Sequence, residues 1–392
     1  MVNKNRYVTL VSSEIGNAGG IERVFFEFIL FLSKHNFKIN VVCRSIDPSL
    51  LQYIHKLEQI DLPRGKNLLA RLYFQLVWIA KATAAVKSLG KLAGVIIGPP
   101  CSALSVDIAM AGSCHLAALL ELQKEGKYRW LLNPINWVII SCECLLFKNS
   151  NTTVLTPSSR TSSEIQKLYK TPTKRLILIP HGVDLSLFKP APQYITKSSI
   201  RLELNLPDNC LLLLTVTNEL ERKGCYEILK ALKILQQKST NLHYVIAGRA
   251  DYDQFRQEIK SMGLVEMISC LPPKTNEELT KLYQAADLFL LPTKYESFGL
   301  VGIEAMACGL PMIACKVGGI EDYLTNQHDG LIIARTPTAI AKAIIALSEG
   351  ALRAQMSMNA ITKSQKYDWN AVLIPLNQLI DQYQSKKMLF CD

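Results

Sequence analysis

YVTLVSSEIGNAGGIERVFFEFILFLSKHNFKINVVC, residues 7–43, is the stretch whose reading decides the fold. The run 7–12 is apolar and β-favouring and reads as a strand, and 14–20 reads as a turn ending in Gly19 and Gly20. From 21 to 34, Val24, Phe25, Phe28, Ile29 and Leu32 recur at helical spacing. A second apolar run at 39–43 reads as another strand. Strand, helix and strand in succession form a βαβ unit, which implies a parallel sheet wrapped by helices.

Outward from this unit, 94–97 and 154–157 read as further strands of the same sheet, and 68–88 and 135–147 as helices. A second series follows the loop Pro180, His181, Gly182, Val183, Asp184. Strands at 211–216, 243–247, 267–271, 287–291 and 311–315 alternate with helices at 225–236, 252–262, 276–285 and 300–307, which is the pattern of a second doubly wound sheet. At 392 residues the chain exceeds what one core supports. The expected domains are 1–183 and 184–369, with a terminal helix within 370–392 that packs back on the first despite Pro375. Ligands of such sheets bind beyond the carboxyl ends of the strands, so a site shared by both would lie in a cleft between the domains. His181, beside Gly182 in the connecting loop, reads as a hinge packing residue.

Composition narrows the class. With 49% hydrophobic and 20% charged residues and no repeat, the chain reads as folded throughout. Eleven cysteines, from Cys43 to Cys391 with no CxxC pair, read as thiols of a reducing compartment. Residues 1–6 lead directly into the first strand without a leader-like pattern, and no apolar run reaches about 18 residues. The expectation is a cytoplasmic protein that does not span a membrane. Its charge is uneven: residues 1–183 hold 22 Lys and Arg against 11 Asp and Glu, whereas from 184 onward the counts are 22 and 22. The entire +11 excess lies in the first half, and residues 62–106 contain Arg64, Lys66, Arg71, Lys81, Lys87 and Lys91 with no acid. A basic face there favours an anionic partner. No nucleic-acid motif accompanies it, so nucleic acid is not the expected one.

The chemistry concentrates in residues 294–321, KYESFGLVGIEAMACGLPMIACKVGGIE. Ser297 is the expected N-cap of the helix 300–307, and Gly299 permits a tight turn before it. Amides at such a helix start attract phosphate. Glu304, in the second turn, leans toward the N-terminus and suits paired hydroxyls such as those of a ribose. Gly318 and Gly319 let backbone amides approach a ligand.

Glu296, Ser297, Phe298, Gly299, then Glu304, Ala305, Met306, Ala307, then Gly309, Pro311 and the Gly318, Gly319 pair resemble the retaining glycosyltransferases of family 4. The resemblance implies the GT-B architecture: α/β, two facing Rossmann-like doubly wound domains with an interdomain cleft. It assigns Glu296 to the transferred sugar and Glu304 to the ribose, with Ser297, Phe298, Gly299 and Leu300 in the donor site. Glu221, Arg222, Lys223, Gly224 stands where that family places cations on the donor diphosphate, and a cation there stabilises the charge that develops as the sugar bond breaks. Thr217 and Asn218 depart from the family, which often has a glycine and a small or basic residue there.

Gly19, Gly20, Ile21, Glu22, Arg23 resembles the family's first glycine loop, which admits phosphate to the first helix. Ala111, Gly112, Ser113, Cys114, His115 is similar to a segment that in one subgroup carries a histidine near the sugar; a purely structural His115 is the other reading. Arg160 follows the strand at 154–157 and is a further candidate for the cleft. The resemblance therefore implies a hexosyltransferase with Glu296, His115, Arg222 and Lys223 as catalytic residues. Its donor is a UDP- or GDP-linked sugar, its acceptor a glycolipid or polysaccharide, and it uses no further cofactor. No Walker A loop, HExxH or clustered metal set is present, and the expected chemistry needs no metal.

The segment from Ala111 through Arg129, Asn133 and Pro134 to Phe147 looks most like enzymes of lipopolysaccharide-core assembly, which work at the inner face of the cytoplasmic membrane. Arg71, Tyr73, Phe74, Trp78 and Lys81 mix cations and aromatics as an interfacial helix does; a core helix with solvated lysines is equally open. Two other classes stand beside the transferase: an epimerase or phosphorylase on the same fold, and a homologue without transferase activity that binds a nucleotide sugar or partner.

Overall fold

A computed structural model describes residues 6–17, 19–238 and 240–389. Residues 1–5, which carry the expected leaderless start, and Cys391 with its neighbours lie outside the described residues. The contacts divide the chain into two compact units, 1–181 with 369–392, and 182–368.

In the first unit seven parallel strands form one sheet. They are β1 Tyr7–Val11, β2 Lys38–Cys43, β3 Ile54–Gln59, β4 Val95–Gly98, β5 Ile108–Met110, β6 Thr153–Thr156 and β7 Leu176–Leu178, in the spatial order β3-β2-β1-β4-β5-β6-β7. The order reverses direction at β1, where the chain crosses from one side of the sheet to the other. That switch point is where an open parallel sheet leaves a crevice at its carboxyl edge. The strands at 7–11 and 38–43 are almost wholly buried, as expected when helices cover both faces. Three strands escape a reading of hydrophobic periodicity. β3, IHKLEQ, is a charged and half-exposed edge strand in which Lys56 pairs with Glu58 at 2.8 Å, the composition that keeps an edge from pairing further. β5 and β7 are three residues each, too short to show a period.

The terminal segment belongs to this unit. The helix Ile374–Leu389 crosses the amino ends of the strands: Arg6 donates to Asn377 Oδ1 at 2.9 Å and Asp381 Oδ1 at 2.6 Å. Gln384 reaches Tyr7 O at 3.2 Å, Tyr383 meets Thr153 Oγ1 at 2.8 Å, and Lys387 reaches Gly94 O and Asp107 Oδ2 at 2.8 and 2.7 Å. His181, read as a hinge packing residue, packs into this unit's interior, its ring 6.3 Å from that of Trp369. Burial pushes its imidazole down to about 4.

The helix Leu68–Ser88 corrects the interfacial reading of its aromatics. Phe74 and Trp78 face inward, with Ile79, Ala82 and Val86, because this set shares one helical face and closes the sheet. Tyr73 is on the outer face, 61% exposed, with Leu69 at 76% and Leu76 at 51%. No described helix is long and apolar enough to cross a membrane.

The second unit holds six parallel strands, β8 Leu211–Val216, β9 Leu242–Ala247, β10 Ile268–Leu271, β11 Leu288–Leu291, β12 Met312–Cys315 and β13 Gly330–Ile333. Their order is β10-β9-β8-β11-β12-β13, again reversing at the first strand. β8, β9 and β11 are near-continuous apolar runs, the mark of strands buried on both faces.

Asp287 ties the amino ends of β8 and β11 together. Its Oδ2 accepts from Leu212 N at 2.9 Å and Arg201 Nη2 at 2.7 Å, and its Oδ1 from Lys197 Nζ at 2.9 Å. Burial pushes this carboxyl up, but Lys197, the Leu212 amide and Arg201 outweigh it and hold it below the ordinary 3.8. A depressed carboxyl stabilises the fold above its unfolded pKa and loses that contribution as the pH falls through the folded value. Asp287→Asn is therefore expected to cost about 3 kcal/mol at neutral pH, because it leaves Arg201 buried without its counter-charge. Urea unfolding at descending pH checks this: the gap to wild type narrows in acid below 3.8.

Candidate active site

In the second unit β8 and β11 are neighbours, so the loops that follow them meet at the carboxyl edge. The chain leaves β8 through Thr217, which shapes its own loop, and Asn218, which ties that loop to the next one. Thr217 Oγ1 accepts from Glu219 N at 2.8 Å, and Asn218 Oδ1 accepts from Arg249 N at 2.7 Å in the loop after β9. A one-turn helix, Leu220–Lys223, follows and ends at Gly224, which sits at φ +84°. A Cβ on Gly224 would stand 2.3 Å from Pro292 O, so only glycine lets the two loops close to this distance.

Arg222 and Lys223 are thereby pressed against the 292–296 segment. Lys294 N donates to Arg222 O at 2.9 Å, and Arg222 Nη1 donates to Tyr295 O at 2.6 Å. The Lys223 ammonium bonds Glu296 Oε2 directly, and Arg222 Nη1 lies 3.6 Å from the same oxygen. Glu296 and Lys223 are buried, at 8% and 7% exposure, while Arg222 is partly open and also pairs with Glu219. Burial alone lowers the Arg222 pKa, but Glu296 and Glu219 reverse this and hold its proton more firmly than usual. A buried carboxylate with one oxygen clamped by two cations is fixed in place.

The loop after β12 packs on the backbone of Glu296. Gly318 has φ +54°, and a Cβ there would fall 1.4 Å from Glu296 O; Gly319 N donates to Ser297 O at 3.1 Å. The helix Leu300–Ala307 starts at Gly299, in the left-handed region at φ +93° and without a side-chain cap. Ser297 is thus not the N-cap, because the left-handed turn at Gly299 moves the helix start two residues on. Phe298 is fully buried against Tyr323 and Tyr367 at ring distances of 5.3 and 6.0 Å, so its side chain builds the core under the site. Glu304, 5% exposed, accepts from Tyr283 OH at 3.1 Å. Leu300 is partly buried at the helix start. Two braces escape a sequence reading. Arg335, beyond β13, donates to Pro292 O at 2.8 Å and to Glu221 O and Glu227 Oε2 at 2.7 and 2.9 Å; Tyr323 OH donates to Gly299 O at 3.3 Å. A lone arginine after an undetected strand carries no local signal.

In the first unit the loops after β1 and β5 meet. Gly19 has φ +105°, Gly20 is the N-cap of the helix Ile21–Lys34, and a Cβ on Gly112 would lie 3.1 Å from Ile21 Cδ1. His115, the first residue of the helix His115–Lys124, is half-buried, with its ring Nε2 3.2 Å from Asn136 Oδ1. Burial lowers its pKa from 6.5. Arg160, after β6, pairs with Glu164 at 3.1 Å and lies 3.9 Å from Glu121. Among the described residues no three His, Cys, Asp or Glu side chains gather to hold a metal ion, and the ten cysteines are free thiols. A cavity of about 520 Å³ lined by Tyr7, Lys87, Lys91, Gly94, Ile96 and Lys387 lies at the amino ends of the strands, away from the edge where such sheets bind ligands.

Residues 196–363 match the family described as glycosyl transferases group 1. Among curated proteins, D-inositol 3-phosphate glycosyltransferases are similar. The one from Corynebacterium glutamicum (strain R) is 30% identical over 250 residues, 61% of this chain and 59% of that protein. The one from Thermobispora bispora is 28% identical over 228 residues, 55% and 52% of the two chains. The match thus spans between half and three-fifths of the length of these relatives. Three solved structures share the fold across nearly the whole chain. WaaG, a glycosyltransferase involved in lipopolysaccharide biosynthesis, has a TM-score of 0.80 at 20% identity, covering 95% of this chain and 99% of that one. Sucrose-phosphate synthase from Thermosynechococcus elongatus has 0.78 at 20%, covering 97% and 100%. Anabaena Alr3699/HepE in complex with UDP-glucose has 0.67 at 19%, covering 97% and 99%. The α/β fold with two doubly wound parallel sheets expected from the sequence is the GT-B fold of these proteins.

Proposed function

We propose that this chain, whose residues 196–363 match the glycosyl transferases group 1 family, transfers a hexose from a nucleotide sugar to a phosphate-bearing glycolipid or glycan acceptor, with retention and without a metal. The observation that carries this reading is the buried Glu296 carboxylate with Oε2 clamped by Lys223 and Arg222. Its other oxygen accepts the hydroxyls of the transferred sugar. The two cations, beside that sugar, offset the charge that appears on the diphosphate as the bond breaks, at a place where little water screens them. Amides at the Gly299 helix start take a phosphate, aided by the helix dipole. Glu304 takes the ribose by exchanging its bond from Tyr283.

The UDP-glucose complex of HepE favours a UDP-linked donor, with GDP the other base to test. For the acceptor, relatives named for inositol 3-phosphate and a fold neighbour of lipopolysaccharide biosynthesis share one chemistry, a negatively charged glycan or polyol. The basic first unit suits it. Thermal unfolding with a panel of nucleotide sugars is the test. The matching donor at a hundred times its Kd stabilises by about 2.7 kcal/mol; if no nucleotide sugar raises the melting temperature, the reading is wrong.

The first unit also meets the inner face of an anionic membrane, working from the cytoplasm. Leu69, Tyr73 and Leu76 form an exposed apolar stripe on the helix Leu68–Ser88, flanked by Lys66, Arg71 and Lys81 and free of acids. Leu69→Glu with Tyr73→Glu is expected to abolish sedimentation with phosphatidylglycerol vesicles at low salt and leave thermal stability unchanged. Equal binding of variant and wild type would rule the stripe out.

A further inference from the structure

His115 opens its helix, yet what fixes it lies outside that helix. Cys114, the N-cap, gives no side-chain bond, so the amides that a helix start leaves unpaired need another acceptor. Glu143, in the middle of the helix Pro134–Lys148, supplies it: Oε1 accepts from His115 N at 2.7 Å and Oε2 from Leu116 N at 3.4 Å. Tyr169 OH donates to Oε2 at 2.5 Å. Glu143 is 2% exposed, and burial holds its carboxyl above the ordinary value although these three bonds pull it down. A carboxylate facing the positive end of the helix dipole locks the turn that carries His115.

The imidazole is fixed separately. Asn136 is buried, and its Nδ2 donates to Trp130 O at 2.9 Å, which sets the amide so that Oδ1 faces His115 Nε2 at 3.2 Å. A carbonyl oxygen only accepts, so the shared proton belongs to Nε2, and in the neutral ring the lone pair then belongs to Nδ1. Charged and titratable groups on the packed elements are Cys142, Glu143, Cys144 and Lys148 on the helix Pro134–Lys148, Arg160, Glu164, Lys167 and Tyr169 on the helix Ser159–Tyr169, and Glu121 and Lys124 on the histidine's own helix. Arg160, Glu164, Glu121 and Lys124 pair among themselves, and Tyr169 with Glu143. The lowered affinity of the imidazole for its proton comes from burial, partly offset by Asn136.

We infer that Asn136 and Glu143 are positioning residues that hold His115 as the Nε2-protonated imidazole, with Nδ1 presented to accept a hydrogen bond from the acceptor hydroxyl. The inference rests on the reading that the first unit takes the acceptor, but its structural half stands without it. An acceptor hydroxyl that donates to a neutral Nδ1 gains nucleophilicity: as its oxygen bonds the sugar carbon and the diphosphate departs with the electron pair of the broken bond, the hydroxyl proton passes to Nδ1. It also explains why buried polar groups occupy two places on the helix Pro134–Lys148 that apolar side chains would otherwise fill.

The test uses long-range ¹H–¹⁵N correlation spectra of the ring nitrogens of the full-length protein's six histidines, with the His115 signals assigned by their loss in His115→Gln. The expected wild-type result is a proton on Nε2, an unprotonated Nδ1, and a titration midpoint below 6.5. Asn136→Ala is expected to yield a mixture of tautomers. Asn136→Asp is expected to keep the Nε2 proton and raise the midpoint above the wild-type value, because a carboxylate favours the imidazolium. Glu143→Gln is expected to shift both ring signals through displacement of the helix start. A proton on Nδ1 in the wild type overturns the inference, whether or not any variant folds, and so does an Asn136→Ala spectrum identical to wild type. If the tautomer is as stated but His115→Gln transfers sugar at the wild-type rate from the donor found by thermal unfolding, the positioning stands and the acceptor role falls. Failure of every donor in that panel instead strikes the transferase reading and leaves the spectra unaffected.

Discussion

Glu296→Gln is expected to lower the turnover of sugar transfer about 100-fold while the protein remains folded and still binds the donor's nucleotide. The amide keeps an oxygen for Lys223 and fills the same space, but it loses the charge that both cations converge on. With the clamp loosened, the sugar is no longer held in one orientation against the fixed diphosphate. The choice of glutamine matters. Both substitutions leave the Lys223 ammonium, 7% exposed, without a counter-charge, but Glu296→Ala also removes the oxygen it donates to and opens a cavity, at a cost of about 3–5 kcal/mol. A loss of activity in that variant would not separate chemistry from unfolding. Steady-state kinetics with the stabilising nucleotide sugar, together with its thermal shift in the variant, make the distinction. A fallen kcat with a preserved shift supports the role of Glu296 on the sugar. An unchanged kcat excludes it.

Gly318→Ala is expected to be among the most damaging small substitutions in the second unit. Its backbone sits at φ +54°, and the added Cβ would lie 1.4 Å from Glu296 O and 2.5 Å from Glu296 C, both backbone atoms. A side chain cannot rotate away from a clash with backbone, so one loop must move. The conformation alone costs about 1–3 kcal/mol for a residue other than glycine in a strained region, and displacement of the loop adds to it. Because the atom struck belongs to Glu296, the lost stability and the lost activity should come together. Urea unfolding gives the first and transfer assays the second. Gly350→Ala serves as the control: nothing lies within 4 Å of its added Cβ at the start of the helix Gly350–Ser364. There, alanine should leave stability unchanged or raise it by about 0.4–1 kcal/mol. If both variants unfold alike, the tight packing of the 317–319 loop on Glu296 is not a feature of the folded protein.

These two substitutions also show where sequence stops and structure begins. The motif from Glu296 to Gly319 is legible through residue types and their spacing, all of it local. Neither the clamp on Glu296 nor the need for glycine at 318 is local. Lys223 and Glu296 are 73 residues apart, and they meet because β8 and β11 lie side by side. Ser297 looks like a cap by composition, yet the left-handed turn at Gly299 takes that place. On the helix Leu68–Ser88 the cations and aromatics are evident in the sequence, but only packing against the sheet separates the buried Phe74 and Trp78 from the exposed Leu69 and Tyr73.

By itself the sequence determined the α/β class, the two successive doubly wound sheets, the excess of positive charge in the first half and the motifs that hold Arg222, Lys223, Glu296 and Glu304. These are properties of periodicity, composition and short-range spacing, which a chain carries before it folds. Tertiary structure alone decided which oxygen of Glu296 the cations take, which aromatics face outward, and that Asn136 and Glu143 bond the ring and the amide of His115. It also decided the place of Arg335 and of the short strands β5 and β7. Each of these depends on contacts between residues distant in the chain, and the free energy of such contacts is set by burial and by the neighbours that packing supplies.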